Sequence, residues 1–366
     1  MLEEGRISNR QAAFLVITTI LSTTSIGFLP SMIYQEAAQD SWISILLLTV
    51  YGIVVGRIIM SLGMRFPDKT IVEYAEIVTG RIPGKIIGFL YVLFFLYLNT
   101  FPIRFFGELS ITFFMPETPL VFFLIGIIFA AAYAVRSGLE VIARANEIIL
   151  PVSLTIGIIL AIMLFPQMEI KNFIPVLEKG ILPVFKGTYV ALVYFAETIV
   201  MVMFIPYLNT TRRTRGIIFK SFVVISLCEL LAVVSTIAVL GELAARIPVP
   251  AIFAARLVSL AELIERVEPL FLLLWVIAVF VKVSVFYYCF VLATAQWLNL
   301  KEYKALVLPA GVLLTVLSVV LWGNIADLYE QMVKLVPYFV FVEAVLPLVL
   351  LVAACLRGKG GTAGEN

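Results

Sequence analysis

The chain has 366 residues, of which 62% are hydrophobic and only 14% are charged, whereas soluble proteins are about 45–50% apolar and about 25% charged. This composition excludes a soluble globular protein, and a net charge of +2 with basic residues scattered in short clusters argues against nucleic acid as a partner. The chain has no histidine, and its three cysteines all lie inside apolar runs, so we predict no metal cluster, no cofactor and no enzyme.

Apolar runs long enough to cross a lipid bilayer recur along the whole chain. Such a span needs about 20 mostly apolar residues to cover about 30 Å of hydrocarbon. We therefore predict an all-α integral membrane protein, with residues 1–366 forming a single transmembrane domain with short tails. The ten predicted spans lie near residues 11–34, 42–64, 84–106, 119–136, 140–165, 187–209, 217–240, 269–294, 305–323 and 335–356.

The basic residues of the connecting segments predict the orientation of the chain. With the N-terminus in the cytoplasm, the inner segments carry sixteen lysines and arginines and the outer segments carry seven, leaving aside the three within spans. Short cytoplasmic loops carry an excess of lysine and arginine. Both termini are therefore predicted to be cytoplasmic.

Features of the first five spans recur in the second five. The triplet Phe28-Leu29-Pro30 near the end of the first span is matched by Phe204-Ile205-Pro206 near the end of the sixth. A predicted amphipathic helix follows the second span in residues 65–85, and another follows the seventh span in residues 242–268, where Phe253, Leu257, Leu260 and Ile264 share one face. These features favour two inverted repeats, at about 8–165 and 183–356.

Six segments in order along the chain resemble the spore germination permease family. They are Ile7–Gln11, Phe66–Thr70 followed by Glu73 and Tyr74, Glu117–Pro119, Asn172–Leu177, Phe195–Pro206, and Glu265–Glu268 before Trp275. These permeases are the B subunits of nutrient germinant receptors of endospore formers, within the amino acid–polyamine–organocation superfamily. The resemblance covers about residues 5 to 356.

The resemblance implies a LeuT-like fold of ten helices in a five-plus-five inverted repeat, with helices one and six interrupted. It also implies a receptor subunit in the cell membrane or inner spore membrane, which binds a small amino acid or related nutrient beside the breaks, works with other receptor subunits and signals germination. The wider superfamily implies a proton-coupled amino acid transporter instead. A membrane scaffold for partner subunits is a third reading.

The first break is predicted in Thr23, Thr24, Ser25, Ile26 and Gly27. Amide groups freed in a broken helix point at the ligand with a positive dipole end, so they bind an anionic group without any arginine. The hydroxyls of this segment either donate to the same group or bond back to the preceding turn. Where relatives often have a Gly-x-Gly sequence at the break, this chain has Thr23-Thr24-Ser25.

Glu197 and Lys282 stand alone near the middle of the sixth and eighth spans, where a lone charge costs at least about 2.5–3.5 kcal/mol. We predict that they pair, since the implied fold brings helices six and eight together. Three interpretations are open: a structural ion pair, a lysine at a cation position otherwise filled by sodium, or a glutamate that binds a ligand ammonium and exchanges a proton.

Other residues complete the predicted site. Thr198 lies beside Glu197 at the second break, and Phe286 lies one helical turn after Lys282, on the same face. Tyr97 and Leu98 of the third span are predicted to close the other side. The remaining charges within the bundle, Arg104, Glu108, Glu229 and Glu343, are predicted to lie near span ends and to be structural.

Overall fold

The computed structural model describes residues 4–22, 27–210, 214–257 and 268–361. Within these residues the fold is almost entirely helical, and the extended pairing is an isolated bridge between Ile7 and Leu208. The helices are α1 Asn9–Leu21, α2 Leu29–Ala37, α3 Ser41–Gly63, α4 Ile71–Thr79, α5 Arg81–Phe113, α6 Leu120–Ser137, α7 Leu139–Leu164, α8 Leu182–Ala196, α9 Met201–Phe204, α10 Thr214–Leu240, α11 Pro250–Leu257, α12 Glu268–Trp297, α13 Val307–Val320, α14 Ile325–Lys334, α15 Val336–Val340 and α16 Leu346–Leu356.

Each of the ten predicted spans coincides with a helix or with a set of short helices. By length and composition, eight helical segments of the described chain can cross a membrane. They correspond to the second to eighth spans and to the tenth. The first span consists of α1 and α2, which are separate short helices, and the ninth lies in the shorter apolar helix of residues 304–320.

Two spans are interrupted, as predicted. Helix α1 ends at Leu21 and α2 begins at Leu29, with Pro30 in the first turn of α2, where a missing amide hydrogen costs nothing. The sixth span breaks into α8, a 3₁₀ turn at Glu197–Val200, α9 and a second 3₁₀ turn at Ile205–Tyr207 that contains Pro206. The tighter turns leave main-chain groups near Glu197 outside the regular helical ladder.

The two predicted amphipathic connections have different outcomes. The first is helix α4, which begins at a capping box of Thr70 and Glu73 and packs its buried face against α5 and α16. In the second, α11 covers residues 250–257, and the Phe253 side chain is exposed on its surface. Leu260 and Ile264 lie outside the described residues.

Close packing of α3 against α10 depends on two glycines of α3. A Cβ atom built on Gly52 would lie 2.4 Å from Cε1 of Phe222, and one built on Gly56 would lie 2.8 Å from Cε2 of the same ring. The hydroxyls of Thr49 and Ser226 join the same helices at 2.6 Å. Small residues four apart are the usual device for close helix contact in membranes.

Replacing Gly52 with valine is therefore expected to destabilise the protein. The valine methyl groups would overlap the Phe222 ring, and overpacking of this kind costs about 1–3 kcal/mol. Gly126 of α6 provides the matched control, because a Cβ atom there meets nothing within 4 Å. Thermal melting in detergent should show a lower Tm for Gly52→Val and little change for Gly126→Val. Equal melting temperatures for the two variants would contradict this packing.

The orientation of the chain stays a prediction with a direct test. Single cysteines at Glu3 and Thr362 should be protected from a membrane-impermeant maleimide in intact cells and should react after lysis. The background needs Cys355→Ser, since Cys355 is exposed while Cys289 is buried. Labelling of either new cysteine from outside would show that the terminus concerned is not cytoplasmic.

Candidate ligand-binding site

The two helices that flank the break of the first span, α1 and α2, pack against the interrupted sixth span. Helix α1 packs against the Glu197–Val200 turn, α9 and α12, while α2 packs against α8 on the other side of the break. All four residues of the turn are buried. Broken helices that meet inside a bundle place main-chain polar groups around one point, which is the arrangement of a small-molecule site in a membrane.

Glu197 and Lys282 form the predicted pair. Nζ of Lys282 donates to Oε1 of Glu197 over 2.8 Å, and both side chains are only 2% exposed. Each charge of this buried pair compensates the other, because either charge alone would be buried without a partner. The pair joins the break in the sixth span to α12.

The structure brings some of the other predicted residues to this pair and places one elsewhere. Lys282 Nζ lies 5.7 Å from the centre of the Phe286 ring, so the two residues are neighbours on α12, and the role of Phe286 as a wall of a ligand site stays a prediction. Thr198 and Leu98 are buried. Tyr97 instead packs against Trp322 and Phe339, at ring distances of 5.5 and 6.2 Å, and borders a surface crevice lined by Leu317 and Tyr338.

The predicted first break lies mostly beyond the described chain. Thr23, Thr24, Ser25 and Ile26 fall outside the described residues, and their role in ligand binding stays a prediction. Gly27, the fifth residue of that segment, is described and is buried directly before α2.

Several buried polar atoms, on Glu197 and on helices α1, α2, α5 and α12, lack a hydrogen-bond partner among the described residues. They are Oε2 of Glu197, Oγ1 of Thr19 in α1, Oγ of Ser31 in α2, Oδ1 of Asn99 in α5 and Oγ of Ser284 in α12. The Asn99 amide reaches α12 through a 3.2 Å bond to the carbonyl oxygen of Val283. Buried polar atoms in proteins nearly always have a hydrogen-bond partner. These helices therefore offer hydrogen-bonding atoms to a small polar ligand.

An aromatic layer lies at the start of α2. The Phe28 ring lies 3.9 Å from the Phe105 ring and 6.2 Å from that of Tyr329, and Phe105 contacts Trp275 at 5.7 Å. The Tyr329 hydroxyl donates to Oε1 of Gln35 in α2 over 3.2 Å. Sequence reasoning missed this layer, because its members come from four separate helices and no spacing in the chain links them.

The N-terminal segment closes the site on its α1 side. The amide of Ile7 donates to the carbonyl oxygen of Tyr207, and the amide of Asn209 donates back to Ile7, both over 2.9 Å. In α1, the Thr18 hydroxyl donates to Oδ1 of Asn146 in α7 over 2.8 Å. With both sides covered, the Glu197–Lys282 pair is enclosed.

The structural role predicted for four charges holds for two of them. Arg104 and Glu108 pair over 2.7 Å, and Arg104 also donates to carbonyl oxygens at the end of α13. The prediction that Glu229 and Glu343 can snorkel to water from nearer the span ends is wrong, because both are 0% exposed. The signal was present in the sequence, since each lies at least eight residues inside its apolar run.

A family model described as "Spore germination protein", that of the spore permeases, matches residues 6–322. The chain belongs to this family. This spore permease is 27% identical to spore germination protein KB of Bacillus subtilis (strain 168), over 98% of this chain and 97% of that protein. It is 25% identical to spore germination protein YndE of the same organism, over 97% of this chain and 98% of that one.

Solved transporter structures share the fold of this spore permease. Mhp1, a nucleobase-cation-symport-1 family transporter, matches with a TM-score of 0.70 and 11% identity over 97% of this chain and 80% of its own. MhsT in complex with L-phenylalanine matches with a TM-score of 0.60 and 14% identity over 97% and 99%. The spore permease is therefore a multi-pass membrane protein with the LeuT-like fold of ten spans in two inverted repeats; the repeat limits at 8–165 and 183–356 stay a prediction. Family and fold are those of permeases and transporters rather than of enzymes.

Proposed function

We propose that this protein is the membrane subunit of a spore nutrient-germinant receptor, which binds a small amino acid or a related nutrient between the broken helices and signals germination. The observation that carries the proposal is the enclosed Glu197–Lys282 pair, at the point where the interrupted sixth span packs against α1 and α12. Membership of the spore germination family supports the biological setting, and the transporter fold supports a ligand pocket at this depth.

The chemistry of the pocket suits a zwitterion. Glu197 uses one oxygen on Lys282, and its second oxygen has no partner among the described residues, so it can accept from a ligand ammonium. The start of α2 after Gly27 offers main-chain amides at the positive end of a helix dipole to a ligand carboxylate. Thr23, Thr24 and Ser25 add hydroxyl donors in this proposal. Phe286 forms an apolar wall.

Partner subunits are expected to affect how tightly this subunit binds its ligand. A receptor subunit signals by changing its packing against its neighbours, so partners shift the share of molecules in the binding-competent state. If that state is about 1% populated in the isolated chain, the apparent affinity falls about a hundredfold. Ligand recognition is therefore tested with the subunit both alone and co-expressed with its receptor partners in spore membranes.

The test is scintillation proximity binding of a radiolabelled amino acid panel to the full-length protein in both preparations. We expect saturable binding of at least one amino acid, and loss of that binding in Glu197→Leu combined with Lys282→Met. An empty panel in both preparations would refute ligand recognition. Uptake of the bound amino acid into proteoliposomes, with and without a pH gradient, separates the sensor from a proton-coupled transporter: we expect binding without accumulation.

A further inference from the structure

Glu343 is a fully buried carboxyl group that the proposed ligand site leaves unused. Its residue is 0% exposed, and neither Oε1 nor Oε2 has a hydrogen-bond partner within the described chain. It lies in the tenth span, between α15 and α16. A carboxylate ion in this position would carry a full charge with no donor to stabilise it, which is among the least favourable states of a buried group.

The backbone around Glu343 departs from the α-helix. Residues Phe341–Val345 form a π-helical turn, in which hydrogen bonds reach one residue further than in an α-helix. The Tyr91 hydroxyl of α5 donates to the carbonyl oxygen of Val342 in this turn over 3.0 Å. Single π-helical turns within α-helices occur frequently at functional sites.

Within the part of the chain that the structure describes, the one cation found to interact with Glu343 is Lys282, which already pairs with Glu197. Glu197 and Lys282 interact with it electrostatically, and so do three tyrosines, Tyr51 of α3, Tyr91 of α5 and Tyr338 of α15. The ammonium group of Lys282 is already bound by Glu197 at 2.8 Å. One ammonium balances one carboxylate, so a second carboxylate in the same enclosed region would leave a net negative charge away from water.

We propose that Glu343 is a proton-binding site within the membrane. In the enclosed conformation its carboxyl group carries the proton on one oxygen. When the helices around the Glu197–Lys282 pair separate and water enters, the O–H bond breaks, the proton passes to water and the carboxylate remains, close to Lys282. The inference goes beyond the proposed function, because it concerns a proton and holds whether or not an amino acid binds.

Infrared spectroscopy of the full-length protein in lipid tests this assignment directly. A buried protonated carboxyl group gives a C=O stretch separate from the bands of amides and carboxylates. Wild-type protein at neutral pH should show such a band, and Glu343→Gln should lose it. Glu229 is also fully buried, so Glu229→Gln is the matched control, and its spectrum should keep the Glu343 band.

Thermal melting across a pH series is a second test of the proton site. Glutamine has the shape of the protonated carboxyl group, so Glu343→Gln should fold, and it should melt as the wild type does near pH 4 and above the wild type at neutral pH, where the unfolded glutamate is ionised. From about pH 4 upwards the unfolded wild-type carboxyl gives up its proton while the folded one keeps it, so the wild type should lose stability as the pH rises and Glu343→Gln should not lose this part. The proposal is overturned if Glu343→Gln keeps every carboxyl band of the wild type, or if it fails to fold at neutral pH.

Discussion

Lys282→Met is expected to lower the free energy of unfolding by about 3–5 kcal/mol, because it leaves the Glu197 carboxylate buried without its partner. Methionine has nearly the length of lysine, so the lost packing is small and the cost comes from the uncompensated charge. Glu197→Leu should cost a similar amount by leaving the Lys282 ammonium unpaired. Thermal melting in detergent measures both effects.

The double variant distinguishes an ion pair from two unrelated residues. When both charges are removed together, no charge is left behind, and replacing a buried pair with apolar side chains is often close to neutral. We therefore expect Glu197→Leu combined with Lys282→Met to melt near the wild type, far above either single variant. The double-mutant cycle should show a coupling of several kcal/mol.

A second ion pair of the chain supplies the control for this experiment. Glu330 and Lys334 of α14 also form a pair, but their side chains are 65% and 68% exposed. Water stabilises each charge there, so removing either one should leave the free energy of unfolding nearly unchanged. If the Glu197 and Lys282 changes proved additive, the two side chains would not meet in the folded protein.

Gly27→Trp is expected to weaken amino acid binding at least tenfold, which equals a loss of about 1.4 kcal/mol. Gly27 is buried at the start of α2, beside the proposed site for the ligand carboxylate. An indole ring at this position would fill the space into which the ligand brings its carboxylate, since the backbone must approach the ligand closely there. The measurement is binding of the amino acid that the wild type prefers.

Gly126→Trp is the matched control for this substitution. The same side chain is added to a glycine that has open space beside it, so ligand binding should remain at the wild-type level. Melting temperatures of both variants separate a blocked pocket from a protein that no longer folds. Wild-type affinity in a folded Gly27→Trp variant would show that the ligand binds elsewhere.

Local properties of the sequence determined the number and position of the spans. The length and hydropathy of each span can be read from its own residues, because crossing the bilayer needs about 20 apolar residues regardless of the rest of the chain. The ion pair also followed from local information, because a charge near the middle of an apolar run requires a partner. The resemblance to spore permeases supplied the further point that the sixth and eighth spans meet.

Tertiary packing decided which face of each helix points to the interior. The third span carries Leu98 and Tyr97 at adjacent positions, and only the neighbouring helices direct Tyr97 to Trp322 and away from the ion pair. Glu343 was expected near the membrane surface, yet helices on several sides enclose it completely. An apolar span has no polar stripe to mark its lipid-facing side, so its sequence cannot specify which residues are enclosed. The sequence by itself determined the spans and the need for a charge partner, whereas helix packing alone decided which polar groups meet.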